Sequence, residues 1–169
     1  MNIPNGTWNA TSFFQSLTER NILASQHGFR FCKISSPENL EEALASMQNT
    51  TAFVCISDSA PGYTSLDNTP HTRRVKTVFL AMRHKIDDMA ARNRCFDIMR
   101  EVFRQFCSVL LQEKTRLEQN CIYLDPRITF NETDEYFVTG CACAFFQIAV
   151  DVYTDLRYNP AEWNTDLNF

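Results

Sequence analysis

Glycine is scarce in this chain of 169 residues, which has four, at positions 6, 28, 62 and 140. A phosphate-binding loop needs several glycines within a few residues, so that backbone N–H groups can approach the phosphate. The wide spacing of the glycines therefore excludes a glycine-rich phosphate-binding loop. Histidine is scarcer still, and His27, His71 and His84 lie far apart. No pattern of residues marks a catalytic site, and we expect no enzymatic activity and no cofactor.

An excess of positive charge is also missing. The net charge is −4, and basic and acidic residues alternate along the chain. Because phosphate-backbone binding depends on a basic surface, nucleic acid is not expected as the principal partner. No apolar run reaches the roughly 18 to 20 residues of a membrane helix. The first residues have neither the basic start nor the apolar core of a secretory signal, so we expect a cytoplasmic protein without membrane contact.

Paired cysteines of a disulfide framework are not evident either, although there are seven cysteines. Each falls in a predicted apolar strand or in the predicted long helix, where free cysteine packs as a small hydrophobe. An odd number without a secretory signal favours a reducing compartment. Cys141 and Cys143 stand one residue apart, on the same face of a strand. That spacing is too close for the usual zinc knuckle, and we expect no metal site.

Two strongly patterned segments indicate the fold. Along the end of the chain, Ala144, Phe146, Ile148, Val150 and Val152 share one face of a strand, because side chains alternate between the two faces. The segment from about 88–118 places apolar side chains at helical spacing and charged ones opposite, which predicts a long amphipathic helix. A strand this apolar needs cover, and the long helix supplies it.

The pattern as a whole predicts an α+β fold: a mainly antiparallel sheet covered on one face by helices, in a single domain spanning residues 1–169. Residues 58–72 contain two prolines and a glycine without periodicity and are predicted to be a long loop. Residues 157–169 are predicted to be a C-terminal tail. The predicted helices are Ser12–Gln26, one opening at Ser36, and 88–118; the predicted strands are Phe29–Ile34, Thr51–Ser57, Arg73–His84, Cys121–Leu124 continuing at Arg127–Phe130, and Tyr136–Thr154.

This order of elements, with the strand RRVKTVFLAMRH, an amphipathic helix and the closing strand FFQIAVDVYTDLRYN, resembles tail-terminator and tail-completion proteins of long-tailed phages. That group includes the minor tail protein U of lambda-like phages. The resemblance covers Thr72 to Asn159, whereas the unit from Phe29 to Ser57 departs from the smallest members. It implies a non-enzymatic subunit that forms a ring, expected to be a hexamer, between the tail tube and the head connector. It also implies the bacterial cytoplasm and then the virion as locations.

A ring of this kind uses contacts in which one surface patch meets a different patch on the next copy. The loop Pro61–His71 is then expected to face the axial partner. The residues expected at interfaces are Tyr63, His71, Arg73, Arg74, Trp163 and Phe169.

Two other classes of function remain open from the sequence. One is an interaction adaptor that presents a sheet edge to a different protein. The other is a small ligand-binding or enzymatic α+β domain with a pocket between the long helix and the sheet. Such a pocket requires converging polar groups, for example Gln147, Asp151 and Tyr153 facing Arg83 or His84.

Overall fold

Two strands of 13 residues each pair along their whole length and organise the structure. The computed structural model describes residues 8–133 and 140–163. In these residues the elements are α1 (Ala10–Arg20), α2 (Ile22–Gln26), β1 (Phe29–Ile34), a 3-10 turn (Pro37–Asn39), α3 (Leu40–Ser46), β2 (Ala52–Ser57), β3 (Gly62–Ser65), β4 (His71–Arg83), α4 (Met89–Glu118), β5 (Ile122–Leu124), β6 (Thr129–Thr133), β7 (Cys141–Tyr153) and a second 3-10 turn (Pro160–Glu162).

The strands form one mixed sheet in the order β1-β2-β4-β7-β5. β3 pairs with the first part of β4, and β6 pairs with the first part of β7. The pairing of β1 with β2 is parallel, whereas the other pairings between described strands are antiparallel. The parallel pair arises because β1 and β2 are joined through α3, a crossover that returns the chain in the same direction. The predicted α+β class is confirmed, and the sheet is mixed rather than purely antiparallel.

The predicted long helix is confirmed as α4. Asp88 precedes it, and the Asp88 side chain accepts a hydrogen bond of 2.8 Å from the backbone N–H of Ala91. This bond satisfies one of the free N–H groups at the start of a helix. The buried apolar side chains of α4 lie in the main buried cluster together with even-numbered apolar residues of β4 and β7. Phe103 of α4 packs on Phe146 of β7, with 4.9 Å between the ring centroids.

A second buried cluster occupies the opposite face of the sheet. Leu40 and Leu44 of α3 are buried there with Phe53, Phe79 and other odd-numbered strand residues. Arg83, at the end of β4, donates hydrogen bonds to the carbonyl of Leu44 at 2.6 Å and to that of Thr50 at 2.9 Å. Helix residues are therefore buried against both faces of the sheet. The prediction of helices on one face alone missed α3, because a short helix gives too little periodic pattern to show which face it covers.

The predicted helix Ser12–Gln26 is wrong in one respect, since it divides at Asn21 into α1 and α2. The Asn21 side chain accepts a hydrogen bond from the backbone N–H of Ala24 and donates one to Gln105 of α4. The break leaves Ile22 exposed. Phe14 is instead the buried anchor, with its ring 5.9 Å from Phe106 and 5.7 Å from Phe146.

The predicted long loop 58–72 is also corrected, because it contains β3 and the first residues of β4. Gly62 lies so close to β4 that a β-carbon there would overlap the carbonyl oxygen of Arg73. Cys121 does not fit the prediction that every cysteine lies in an apolar element. It is exposed in the turn after α4, with φ of 57°.

The predicted strand Tyr136–Thr154 begins at Cys141 in the described residues, and its residues 136–139 lie outside them. Gly140 precedes the strand with φ of +83°, a conformation that glycine adopts without strain. The helices in the described segments fall short of the combination of length and apolarity that crossing a bilayer requires.

Candidate interaction surface

β4 and β7 extend beyond the parts of the sheet that pack beneath α3. We call this region the distal end and define it as β3, residues 71–76 of β4, β5, and residues 148–153 of β7. On the face away from α4, no described residue of the distal end belongs to the buried cluster under α3. Among the described residues, the cluster beneath α3 therefore does not cover that face.

A row of four side chains crosses this open face. The strand register places Tyr63 opposite Arg73, Arg73 opposite Asp151, and Asp151 opposite Tyr123. Tyr63 and Tyr123 stand at the two ends of the row and are 55% and 54% exposed. Tyrosine and arginine are enriched at protein interfaces, and here two exposed tyrosines flank a partly buried arginine.

Arg73 forms the centre of the row through two ion pairs. Its Nη1 lies 2.8 Å from Oδ2 of Asp151, and its Nη2 pairs with the carboxylate of Asp125. The hydrogen bond to Asp125 raises the pKa of Arg73. The backbone N–H of Arg127 and the guanidinium of Arg73 both donate to Asp125 and hold the pKa of that carboxyl below its usual range. Oδ1 of Asp151 is buried and has no hydrogen-bond partner among the described residues, so it remains an unused acceptor.

A groove of about 560 Å³ lies on the other face of the distal end, next to the start of α1. Ile148, Val150 and Val152 of β7 form its apolar part. Its lining residues are Trp8, Asn9, Ala10, Thr11, Asp58, Thr72, Arg74, Lys76, Ile148, Val150, Val152, Tyr153 and Thr154. The groove is therefore apolar along β7 and positively charged along β4.

The two cations of the groove differ in their surroundings. Lys76 donates hydrogen bonds to the backbone carbonyls of Ser57 and Asp58, and burial lowers its pKa. The carboxylate of Asp58 lies 3.0 Å from Nζ of Lys33. Arg74 is exposed, and its guanidinium has no ion pair or hydrogen bond among the residues that the structure describes. It is the cation that remains available for an anionic partner.

The turn between β3 and β4, residues 66–69, projects from the distal end, and we call it the tip. Leu66 is 83% exposed, the highest value among the large apolar side chains described. Asp67 is also exposed, and its Oδ1 accepts a hydrogen bond of 3.2 Å from the backbone N–H of Thr69. The Ser65 hydroxyl and this backbone bond hold the pKa of Asp67 below its usual range. The tip thus presents an apolar side chain beside a carboxylate.

Four of the predicted interface residues lie together at the distal end. Tyr63 and His71 are in edge-to-face contact with 6.0 Å between ring centroids, and Arg73 and Arg74 follow on the same strand as His71. Arg73 is engaged in ion pairs within the chain. Trp163 stacks on Tyr158 in the C-terminal segment, with 6.4 Å between centroids, and Phe169 lies outside the described residues.

The polar residues that the alternative of a pocket beneath the long helix would bring together lie apart. Gln147 is opposite Thr77, and Asp151 is opposite Arg73. Arg83 is opposite Cys141, at the other end of the paired strands β4 and β7. Gln147 and Asp151 also lie on the face away from α4. Arg83 instead binds backbone carbonyls at the end of α3, which favours a role in folding.

The cysteines form no metal centre in residues 8–133 and 140–163, where no group of His, Cys, Asp or Glu side chains could hold an ion. Cys141 and Cys143 are buried, and burial raises the pKa of each thiol. Cys32 and Cys55 are register partners on β1 and β2. The hydrogen bond with Cys55 lowers the pKa of Cys32 to about 7.

Sequence reasoning missed Leu66, Tyr123 and Asp125 as surface residues of the distal end. Leu66 could have been found, because it directly precedes Asp67-Asn68, residue types that favour a turn. Tyr123 joins the row only through the register of β5 with β7, and Asp125, directly after β5, pairs with Arg73 of that row. No protein-family model matches this chain, and the curated proteins likewise contain no match.

Proposed function

We propose that this chain is a non-enzymatic assembly subunit that binds copies of itself through the distal end. The observation that carries the proposal is the open row Tyr63, Arg73, Asp151 and Tyr123. Two half-exposed tyrosines flank a charged pair that is already partly desolvated within the chain. Such a surface loses little water from its charges on association and buries aromatic area, which favours a specific contact.

The finer proposal is a ring of the tail-terminator kind at the end of a phage tail tube, with the tube and the head connector as further partners. It is supported by the order of elements and by the presence of different exposed patches at one end of the molecule. A ring needs two unlike patches per copy, and the open row and the groove lie on opposite faces of the same strands. Six copies are the number expected from the resemblance.

Sedimentation velocity of the full chain over a wide concentration range tests the proposal. We expect a concentration-dependent shift from monomer to a closed oligomer, and rings in negative-stain electron micrographs. The double variant Tyr63→Ser/Tyr123→Ser should weaken association by about tenfold or more, because interface tyrosines are often energetic hot spots.

Ile22→Ser provides the matched control, since Ile22 is an exposed apolar residue on α2, away from the distal end. It should associate as the wild type does. A wild-type chain that stays monomeric at every concentration would contradict the proposal and favour an adaptor that binds a different protein.

A further inference from the structure

The tip and the groove are complementary in chemistry. The tip offers Leu66, which is almost fully exposed, beside the carboxylate of Asp67. The groove offers an apolar surface along β7 beside the guanidinium of Arg74, which has no ion pair among the described residues. An apolar side chain and an anion on one surface therefore match an apolar surface and a cation on the other.

The two surfaces do not meet within one copy. No residue of the tip lines the groove, although the tip and Arg74 belong to the same β3–β4 hairpin. The hairpin is held in place by the pairing of Gly62–Ser65 with β4 and by the bond between the hydroxyls of Thr64 and Thr72 at 3.1 Å. The tip is thus held by its own hairpin and does not occupy the groove of its own copy.

We propose that the groove receives the tip of a second copy of this chain, with Leu66 against Val150 and Val152 and with Asp67 paired to Arg74. The groove volume of about 560 Å³ accommodates one leucine side chain with its flanking backbone. Each copy gives one tip and receives one, so the contact extends from copy to copy. This inference rests on the proposed self-assembly and assigns the tip to a neighbouring subunit rather than to an axial partner.

Charge reversal tests the contact. Asp67→Lys alone and Arg74→Glu alone should each weaken self-association at least about tenfold in sedimentation velocity at low salt, because each places like charges together. Mixing the two variants in equal amounts should restore assembly. In the mixture a lysine tip meets a glutamate groove, and an aspartate tip meets an arginine groove, so that the two kinds of chain alternate.

Arg30→Glu is the matched control, since Arg30 is an exposed arginine on β1, outside both surfaces. It should leave association unchanged. Leu66→Ser should also weaken association, and mixing it with either charge variant should not restore assembly. Circular dichroism of each variant verifies that folding is retained.

The outcomes separate this inference from the proposed function. Assembly of the wild type with no effect of Asp67→Lys, Arg74→Glu or Leu66→Ser would overturn the tip-and-groove contact and leave self-assembly standing. Loss of assembly in both charge variants without recovery in the mixture would also overturn it. A monomeric wild type would overturn both.

Discussion

At the scale of single residues, Arg73 balances two carboxylates that would otherwise repel each other at the distal end. Asp125, directly after β5, and Asp151 of β7 both approach it, and all three side chains are about three-quarters covered. Pairs with this degree of cover lie between exposed ion pairs, which contribute little, and buried ones, whose disruption is costly. The triad therefore stabilises the joint between three strands as well as shaping the exposed row.

Asp125→Asn should destabilise the chain by about 1 kcal/mol at neutral pH. The folded state lowers the pKa of Asp125, so the carboxylate contributes stability above the ordinary carboxyl pKa of about 3.9 and loses that contribution as the pH falls through the lowered value. The difference between wild type and variant in urea unfolding should be present at neutral pH and should shrink below about pH 4.

Asp97→Asn is the control for this comparison. Its carboxylate lies 2.7 Å from Nη1 of Arg100 on the exposed surface of α4. We expect a change within about 0.5 kcal/mol. An Asp125→Asn variant as stable as the wild type at neutral pH would contradict the role of the triad.

At the scale of elements, the hairpin of β3 and β4 depends on one glycine. A side chain at Gly62 would overlap the carbonyl oxygen of Arg73, so β3 can lie against β4 only without a β-carbon at this position. β3 has four residues and pairs with no other described strand. The position of the tip is therefore controlled by a small and separable part of the sheet.

Gly62→Ala should release β3 and leave the rest of the sheet intact. We expect amide hydrogens of residues 62–65 to exchange much faster in the variant, with protection retained in β4 where it pairs with β7. Hydrogen exchange with mass spectrometry measures this. Thr64→Ala, in the same strand but without steric overlap, should have a much smaller effect; unchanged protection of residues 62–65 in Gly62→Ala would contradict the argument.

The sequence predicts an element well when residues close together in the chain determine it, and poorly when distant residues do. The bounds of α4 follow from Asp88 and from a long periodic pattern, and β1 follows from alternation over six residues. The break at Asn21 does not follow, because its hydrogen bond to Gln105 joins residues that are 84 positions apart. The candidate site divides in the same way: Tyr63, His71, Arg73 and Arg74 are near in sequence, whereas Tyr123 and Asp125 join them only through strand register.

At the scale of the whole molecule, two buried clusters share the same strands. On β2, Val54 and Ile56 point into the cluster beneath α4, whereas Phe53 and Cys55 point into the cluster beneath α3. Neither cluster can lose its order without disturbing the strands that the other one needs. The described part of the molecule should therefore unfold as one cooperative unit.

Phe14→Ala in the first cluster and Leu44→Ala in the second should each lower stability by about 2 to 5 kcal/mol. Both side chains are fully buried. In each variant we expect a single unfolding transition, with coincident midpoints by far-UV circular dichroism and by tryptophan fluorescence. Two separate transitions in either variant would show that the clusters unfold independently.

The pairing of β4 with β7 has a consequence for how fast the chain reaches this structure. It brings together residues as distant as Thr72 and Thr154, whose hydroxyls lie 2.7 Å apart although 82 positions separate them. Closing so long a segment costs chain entropy before the contacts that repay it are made. Folding rates fall as contacting residues become more distant in sequence. We therefore expect slow refolding, in which α4 forms early and β4 pairs with β7 last.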